Sequence, residues 1–141
     1  MGSRRLEDLN PIVEKMARAL LVAAEHEGIQ LLVTSTLRTY EEQAEIYAQG
    51  RTRPGKRVTN ARPGYSWHNF GLAFDVVPLV GGKPVWNSSC WSRIGVLGRG
   101  IGLIWGGDFC ALKDLAHFEY HPQLDLAEAR RRRTAGETML A

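Results

Sequence analysis

Hydrophobic and polar positions along the chain follow two different periods, which predict alternating helices and strands. Apolar residues recur at helical spacing between Asn10 and Gly28, and the Asn-Pro pair that begins this stretch is typical of a helix start. Residues 29–36 form a short apolar, β-branched run, which predicts a buried strand. Thr39 begins a capping-box sequence, which predicts a second helix that ends at Gly50.

The middle of the chain combines a long loop with the strongest strand pattern. Residues 51–71 contain five glycines and prolines and few aliphatic side chains, which predicts a loop, and long ordered loops usually carry function. A buried strand is predicted over 72–80 and is followed by a Gly-Gly turn. The other predicted elements are a return strand over 83–86, a helix over 89–98, strands over 101–105 and 117–120, and a polar helix over 124–133. This order predicts the α+β class, with helices packed against a small, mainly antiparallel sheet.

Length and composition predict one folded domain over residues 1–141. With 44% hydrophobic and 23% charged residues, the chain is neither disordered nor collagen-like. The longest apolar run, residues 19–24, is far shorter than the roughly 18 residues of a transmembrane segment. Because no secretory signal is visible near the N-terminus, we expect the protein to be made in the cytoplasm.

The net charge of +3 is unevenly distributed. No acidic residue occurs between Glu45 and Asp75, whereas five lysines and arginines do, and a second basic run covers 130–133. Acidic partners fit this pattern, but without a recognisable nucleic-acid module we expect no nucleic acid among them. Cys90 and Cys110 form no metal-type pair; we expect two buried thiols, with a single bridge as the alternative if the protein works outside the cytoplasm.

Two short segments combine an imidazole with a carboxylate. His68 precedes Asp75 by seven positions, and Asp114 precedes His117 by three. Zinc accepts two imidazoles and one carboxylate while keeping a position open for water. Because seven is an odd step along a straight strand, both segments reach one metal only if the chain bends near Gly71.

The spacing alone also allows an ordinary structural role for these residues in a loop and in the core. Asp75 favours the metal, because it interrupts a buried apolar strand and a buried carboxylate is costly unless it is paired or bound to a cation. On a strand, His117, Glu119 and His121 share one face. Glu119 is therefore an alternative to Asp114 as a general base.

Residues 66–75, Ser-Trp-His-Asn-Phe-Gly-Leu-Ala-Phe-Asp, resemble the SxHxxGxAxD signature of a zinc peptidase family. This family includes D-Ala-D-Ala carboxypeptidases and dipeptidases, and the L-alanyl-D-glutamate endopeptidases of phage endolysins and bacterial cell-wall enzymes. Residues 114–117 are similar to its second motif. Further similarity to the endopeptidase branch lies in 36–43, 47–52 and 105–109, so that the resemblance covers about residues 5–121 and leaves a basic C-terminal helix or tail over 124–141.

The resemblance implies a role for each candidate residue. It implies zinc as the cofactor, with His68, Asp75 and His117 as its ligands. Asp114 would be the general base, and Arg38 would hold or polarise the substrate near the scissile carbonyl. Two further residues would help to position the peptide: Gln43 and Ser66.

The function implied is a zinc-dependent peptidoglycan endopeptidase that hydrolyses the L-Ala-D-Glu bond of the stem peptide in cell-wall lysis or remodelling. We expect a monomer that acts in the periplasm or cell wall after release by a partner such as a holin. One alternative is a D,D-carboxypeptidase of the same fold. Another is a non-catalytic peptidoglycan-binding module, although a binding module has no need of a base such as Asp114.

Overall fold

The computed structural model describes residues 2–140, which fold around one five-stranded antiparallel sheet. The helices are α1 (Pro11–His26), α2 (Tyr40–Ala48), α3 (Trp91–Ile101) and α4 (Leu126–Ala135). The strands are β1 (Gln30–Ser35), β2 (Ala73–Val80), β3 (Lys83–Pro84), β4 (Ile104–Trp105) and β5 (His117–Glu119). The order across the sheet is β1-β2-β5-β4, and β3 pairs with the far end of β2. The predicted α+β fold with a small antiparallel sheet is confirmed.

Helix α1 supplies one wall of the core. Its start follows the predicted pattern, because the Asn10 side chain accepts a hydrogen bond from the Ile12 amide and a proline occupies the first turn. Its buried residues recur at helical spacing: Val13, Ala17, Leu20 and Ala24. This face packs with buried side chains of β2 and β5, among them Phe74 and Phe118, in one continuous core.

Helix α3 extends further than its sequence predicts, and the following strand is shorter. The predicted helix over 89–98 continues to Ile101, so the strand predicted over 101–105 is only Ile104–Trp105. Two helical glycines explain the difference. A Cβ at Gly95 or Gly98 would lie 2.4 Å from a ring atom of Trp105 or Phe118, respectively, so both glycines serve close packing and do not end the helix.

The loop over 51–66 contains no helix or strand, and it leads into a short 3₁₀ helix (Trp67–Phe70) that carries the first histidine of the motif. Ser66 caps this turn, and Gly71 ends it with a left-handed φ of 68°. The predicted bend before β2 is therefore present.

The basic helix α4 is packed against this loop. Arg130 donates a hydrogen bond to the Gly64 carbonyl and lies over the Tyr65 ring, while Arg133 lies over the Tyr40 ring. Arg131 and Arg132 pair instead with acidic residues close by in the chain. The run is therefore largely engaged in contacts within the chain and is not a freely solvated face.

No helix within residues 2–140 combines the length and the apolar composition needed to cross a membrane. Cys90 and Cys110 are free thiols, but Cys110 is exposed, so the expectation of buried thiols is wrong for Cys110.

Candidate active site

Three predicted metal ligands converge at one end of the sheet. Asp75 on β2 lies directly opposite His117 on β5, and His68 projects from the 3₁₀ helix that precedes β2. One potential ligand atom from each side chain lies within 4.8 Å of the others. The turn at Gly71 brings His68 and Asp75 to the same place despite their odd spacing.

The ring of His68 is held from behind by the backbone. Its Nδ1 donates to the Thr36 carbonyl oxygen at 2.8 Å, and its Nε2 faces Asp75 Oδ1 at 3.3 Å. The hydrogen bond at Nδ1 sets the tautomer whose Nε2 lone pair is free for a metal. With 5% of its side chain exposed, His68 has little freedom to turn away.

The ring of His117 is held at its Nε2 atom, and by a carboxylate, whereas His68 is held at Nδ1 by a backbone carbonyl. Its Nε2 donates to Glu119 Oε1 at 2.7 Å, and its Nδ1 points to Asp75 Oδ1 at 3.1 Å. Glu119 also accepts from Nε2 of His121, whose ring stacks on Trp67 with centroids 3.8 Å apart. His117, Glu119 and His121 thus share a face, as the strand pattern predicts. Glu119 is buried behind His117, and it is not among the residues that line the cavity.

The hydrogen bonds within this cluster perturb its titration. Burial would raise the pKa of Asp75, but the charges and hydrogen bonds of His68 and His117 outweigh burial and hold that pKa well below its usual range. Burial likewise disfavours the charged form of His117, yet its bonds to Asp75 and Glu119 raise its pKa to about 10. Burial would raise the pKa of Glu119, but His117 and His121 lower it to about 2. The positive charge of the protonated His117 ring balances the negative charges of Asp75 and Glu119. A bound divalent cation would also balance them.

A cavity of about 430 Å³ opens over the cluster. Asp114, Arg38 and Ser66 line it together with the three candidate ligands. Partial burial, reinforced by the negative charge of Asp75, raises the pKa of Asp114. The backbone of Asp114 packs against Gly106, where a Cβ would lie 2.2 Å from the Asp114 carbonyl oxygen. A glycine at this position is therefore required to bring Asp114 to the cavity.

Arg38 enters the cavity from the turn between β1 and α2, and two side chains hold its guanidinium. Nη1 donates to Gln43 Oε1 at 3.1 Å and Nη2 to Ser35 Oγ at 3.3 Å. Burial lowers the pKa of Arg38, and the negative charges of Asp75 and Glu42 partly offset this effect. The guanidinium stays charged, because an arginine is not deprotonated in proteins.

Gln43 lies beneath Arg38 and does not line the cavity. It is fully buried, and its amide donates to the Ala61 carbonyl oxygen at 2.8 Å. Asn69 donates both to Gln43 Oε1 and to the Arg38 carbonyl oxygen. Sequence reasoning did not single out Asn69, although its place inside the 66–75 motif was a usable signal.

Ser66 lies at the wall of the cavity. Its Oγ accepts a hydrogen bond from the His68 amide at 3.3 Å, which caps the 3₁₀ helix that carries His68.

Comparison with known proteins identifies the family. A profile described as D-alanyl-D-alanine carboxypeptidase, VanY, matches residues 6–83, and a second profile of the same description matches residues 59–120. This chain belongs to that family. The VanY-family profiles include all of the candidate site residues, and the resemblance drawn from the sequence motifs is confirmed.

Two relatives in sequence are named as L-alanyl-D-glutamate peptidases. The chain is 39% identical to the peptidoglycan L-alanyl-D-glutamate endopeptidase CwlK of Bacillus subtilis, over 82% of this chain and 75% of that protein. It is 28% identical to the L-alanyl-D-glutamate peptidase of a Listeria phage, over 84% of this chain but 41% of the phage protein.

Solved structures share the fold. The L-Ala D-Glu endopeptidase ChiX of Serratia marcescens superposes with a TM-score of 0.60 at 25% identity, over 84% of this chain and 87% of that one. A VanY D,D-pentapeptidase in complex with Zn(II) superposes with a TM-score of 0.61 at 19% identity, over 93% of this chain and 81% of the other. The second likeness concerns the fold alone.

Proposed function

We propose that this protein is a zinc-dependent endopeptidase that hydrolyses the L-Ala-D-Glu bond of the peptidoglycan stem peptide. The observation that carries the proposal is one cavity that joins a metal-type cluster, His68, Asp75 and His117, to a carboxylate and a guanidinium, Asp114 and Arg38. The names of the 39% identical and 25% identical relatives support this bond over others cleaved by the family.

The donor set fits zinc. Two imidazole nitrogens and one carboxylate oxygen converge, and each histidine has its other ring nitrogen already engaged, by Thr36 or by Glu119. This is the pattern of a three-ligand zinc site with outer partners that orient the rings. When bound, zinc would supply a Lewis acid that polarises the scissile carbonyl and acidifies a water.

Asp114 is the proton carrier in this proposal. Its carboxylate takes a proton from the attacking water and gives it to the leaving amine. Burial, the main cause of its raised pKa in the metal-free protein, supports both steps, since a carboxylate with a pKa closer to neutrality is a stronger base and remains a competent acid. Glu119 is less suited, because its carboxylate is engaged by two histidines behind the cluster.

Arg38 supplies fixed positive charge for the oxyanion that forms during attack. Gln43 acts through Arg38 by holding Nη1, so we assign it a positioning role beneath the substrate. We assign Ser66, which lies at the wall of the cavity, the role in positioning the peptide that the resemblance implies.

Peptidoglycan as the substrate makes the periplasm or cell wall the site of action. The expected release from the cytoplasm by a partner such as a holin, and the monomeric state, stay predictions.

Digestion of purified muropeptides by the zinc-loaded protein, followed by mass spectrometry, tests the function. Cleavage that separates muramoyl-L-Ala from a peptide with a new D-Glu amino terminus is expected. Loss of a terminal D-Ala alone would identify a D,D-carboxypeptidase instead. Binding of muropeptides without any cleavage would favour the binding-module alternative.

A further inference from the structure

A second cavity, of about 620 Å³, continues the active-site cavity past Asp114. The two cavities share the wall formed by Val58, Thr59 and Asp114. Beyond this wall the second cavity is lined by the loop over 57–65 on one side and by residues 112–114 on the other. A substrate that passes Asp114 therefore enters a groove already formed by two loops.

This groove is cationic. Arg57 and Lys113 line it, and the Tyr65 ring at its side lies between Arg62 and Arg130, whose Cζ atoms are 4.4 Å and 4.0 Å from the ring centroid. Among residues 2–140 none of these four cations is ion-paired with a carboxylate. Asp114 is the one acidic residue among those lining the groove. The surplus positive charge favours an anionic occupant.

The route of the catalytic proton determines which half of the substrate lies next to Asp114. In the proposed mechanism Asp114 protonates the leaving amine, so the leaving half of the peptide must lie on the Asp114 side of the cluster. For an L-Ala-D-Glu bond that amine belongs to the glutamate. A glutamate that is linked onward through one carboxyl group keeps the other one free, whereas the alanine side chain carries no charge.

We propose that the groove lined by Arg57, Tyr65 and Lys113 binds the carboxylate-bearing glutamate half of the stem peptide, and that Arg57 and Lys113 set this specificity. The proposal rests on the proposed function, and two independent features agree on it: the position of Asp114 and the sign of the charge. Lys113 donates one hydrogen bond to the Gly107 carbonyl oxygen, which leaves the other protons of its ammonium group for a ligand.

The first test measures binding without turnover. The probes are two product peptides that begin with D-Glu, one with its free carboxylate and one with that carboxylate converted to the amide. Calorimetry on the zinc-loaded protein should show tighter binding of the acidic peptide. Arg57→Gln with Lys113→Gln should weaken that binding by roughly tenfold, as expected for two exposed ion pairs, and should leave the amide peptide nearly unaffected.

The second test measures hydrolysis of the matching uncleaved peptides. The double variant should raise KM for the acidic substrate and change kcat little, and added salt should weaken the wild type more than the variant. Arg53→Gln is the matched control, since Arg53 is an exposed arginine of the same loop that lines neither cavity. It should behave as wild type in both tests.

The outcomes separate this proposal from the proposed function. Equal binding of the acidic and the amidated product by the wild type, or a double variant with unchanged preference, would overturn the groove assignment even if the L-Ala-D-Glu bond is cleaved. Charge-dependent binding that disappears in the double variant supports the groove. If that same wild type cleaves no L-Ala-D-Glu bond, the function fails and the groove stands as an acidic-peptide site.

Discussion

The metal-type cluster and the cationic groove lie next to each other but are built in opposite ways. In the cluster each ring is buried and is held at both nitrogens, by Thr36 and Asp75 or by Glu119 and Asp75. In the groove, Arg57 and Lys113 are exposed and project from loops. The ligands that need fixed positions thus lie on two paired strands and on the short helix before β2, while the charges that we assign to substrate selection lie on loops, where side chains can adapt.

Removal of a ligand from the cluster should have the largest effect on the protein. His68→Ala or His117→Ala should abolish stoichiometric zinc binding and lower kcat/KM by on the order of a thousandfold or more, because the Lewis acid contributes several kcal/mol. Metal analysis and muropeptide hydrolysis measure both effects. His26→Ala, at the exposed end of α1, is the control and should retain zinc and activity. Full zinc content in both ligand variants would refute the assignment.

Asp114→Asn tests whether Asp114 acts as the general base and not as a zinc ligand. The amide keeps the size of the side chain but cannot accept the proton, so kcat should fall by roughly a hundredfold or more while zinc content and melting temperature stay near wild type. Turnover at saturating substrate, metal analysis and thermal unfolding are the measurements. If this variant keeps its turnover and Glu119→Gln loses it, the catalytic acid was placed five residues too early.

Glu119→Gln tests whether zinc binding needs the negatively charged partner that holds the His117 ring. The amide still accepts a bond from His117 but carries no charge, so zinc affinity, once corrected for proton competition at His117, should fall by about 10- to 100-fold while kcat at saturating zinc changes little. Competition with a zinc indicator measures the affinity. A variant with unchanged affinity would show that the ring of His117 is held by Asp75 and its packing alone.

The same contrast explains what the sequence could and could not predict. The Thr39 capping box, the bend at Gly71 and the carboxylate of Asp75 inside an apolar strand are local signals, and each has its expected place in the structure. The fold class and the family follow from such signals and are confirmed. The roles of the individual site residues remain predictions.

Features that depend on distant partners were not predictable. Gln43 occupies a helix position that the pattern leaves exposed, but the Ala61 carbonyl and Asn69 bury it. The groove requires Arg57 and Lys113 to meet across two loops, and no periodicity encodes that approach. Tertiary contacts decide both cases, as they do for the extension of α3.

Zinc binding should also depend on pH. In the metal-free protein the pKa of His117 is about 10, so its ring is protonated at neutral pH and must lose that proton before Nδ1 can bind a metal. Zinc affinity should therefore rise with pH, by about tenfold for each unit below that pKa. Indicator competition between about pH 6.5 and 8 measures the slope. In Glu119→Gln, the loss of one carboxylate lowers the pKa of His117, so the slope should flatten towards the upper end of this range. A slope of zero in the wild type would mean that the His117 ring is already neutral without metal, so that its single N–H is hydrogen-bonded to only one of the two carboxylates, Asp75 or Glu119.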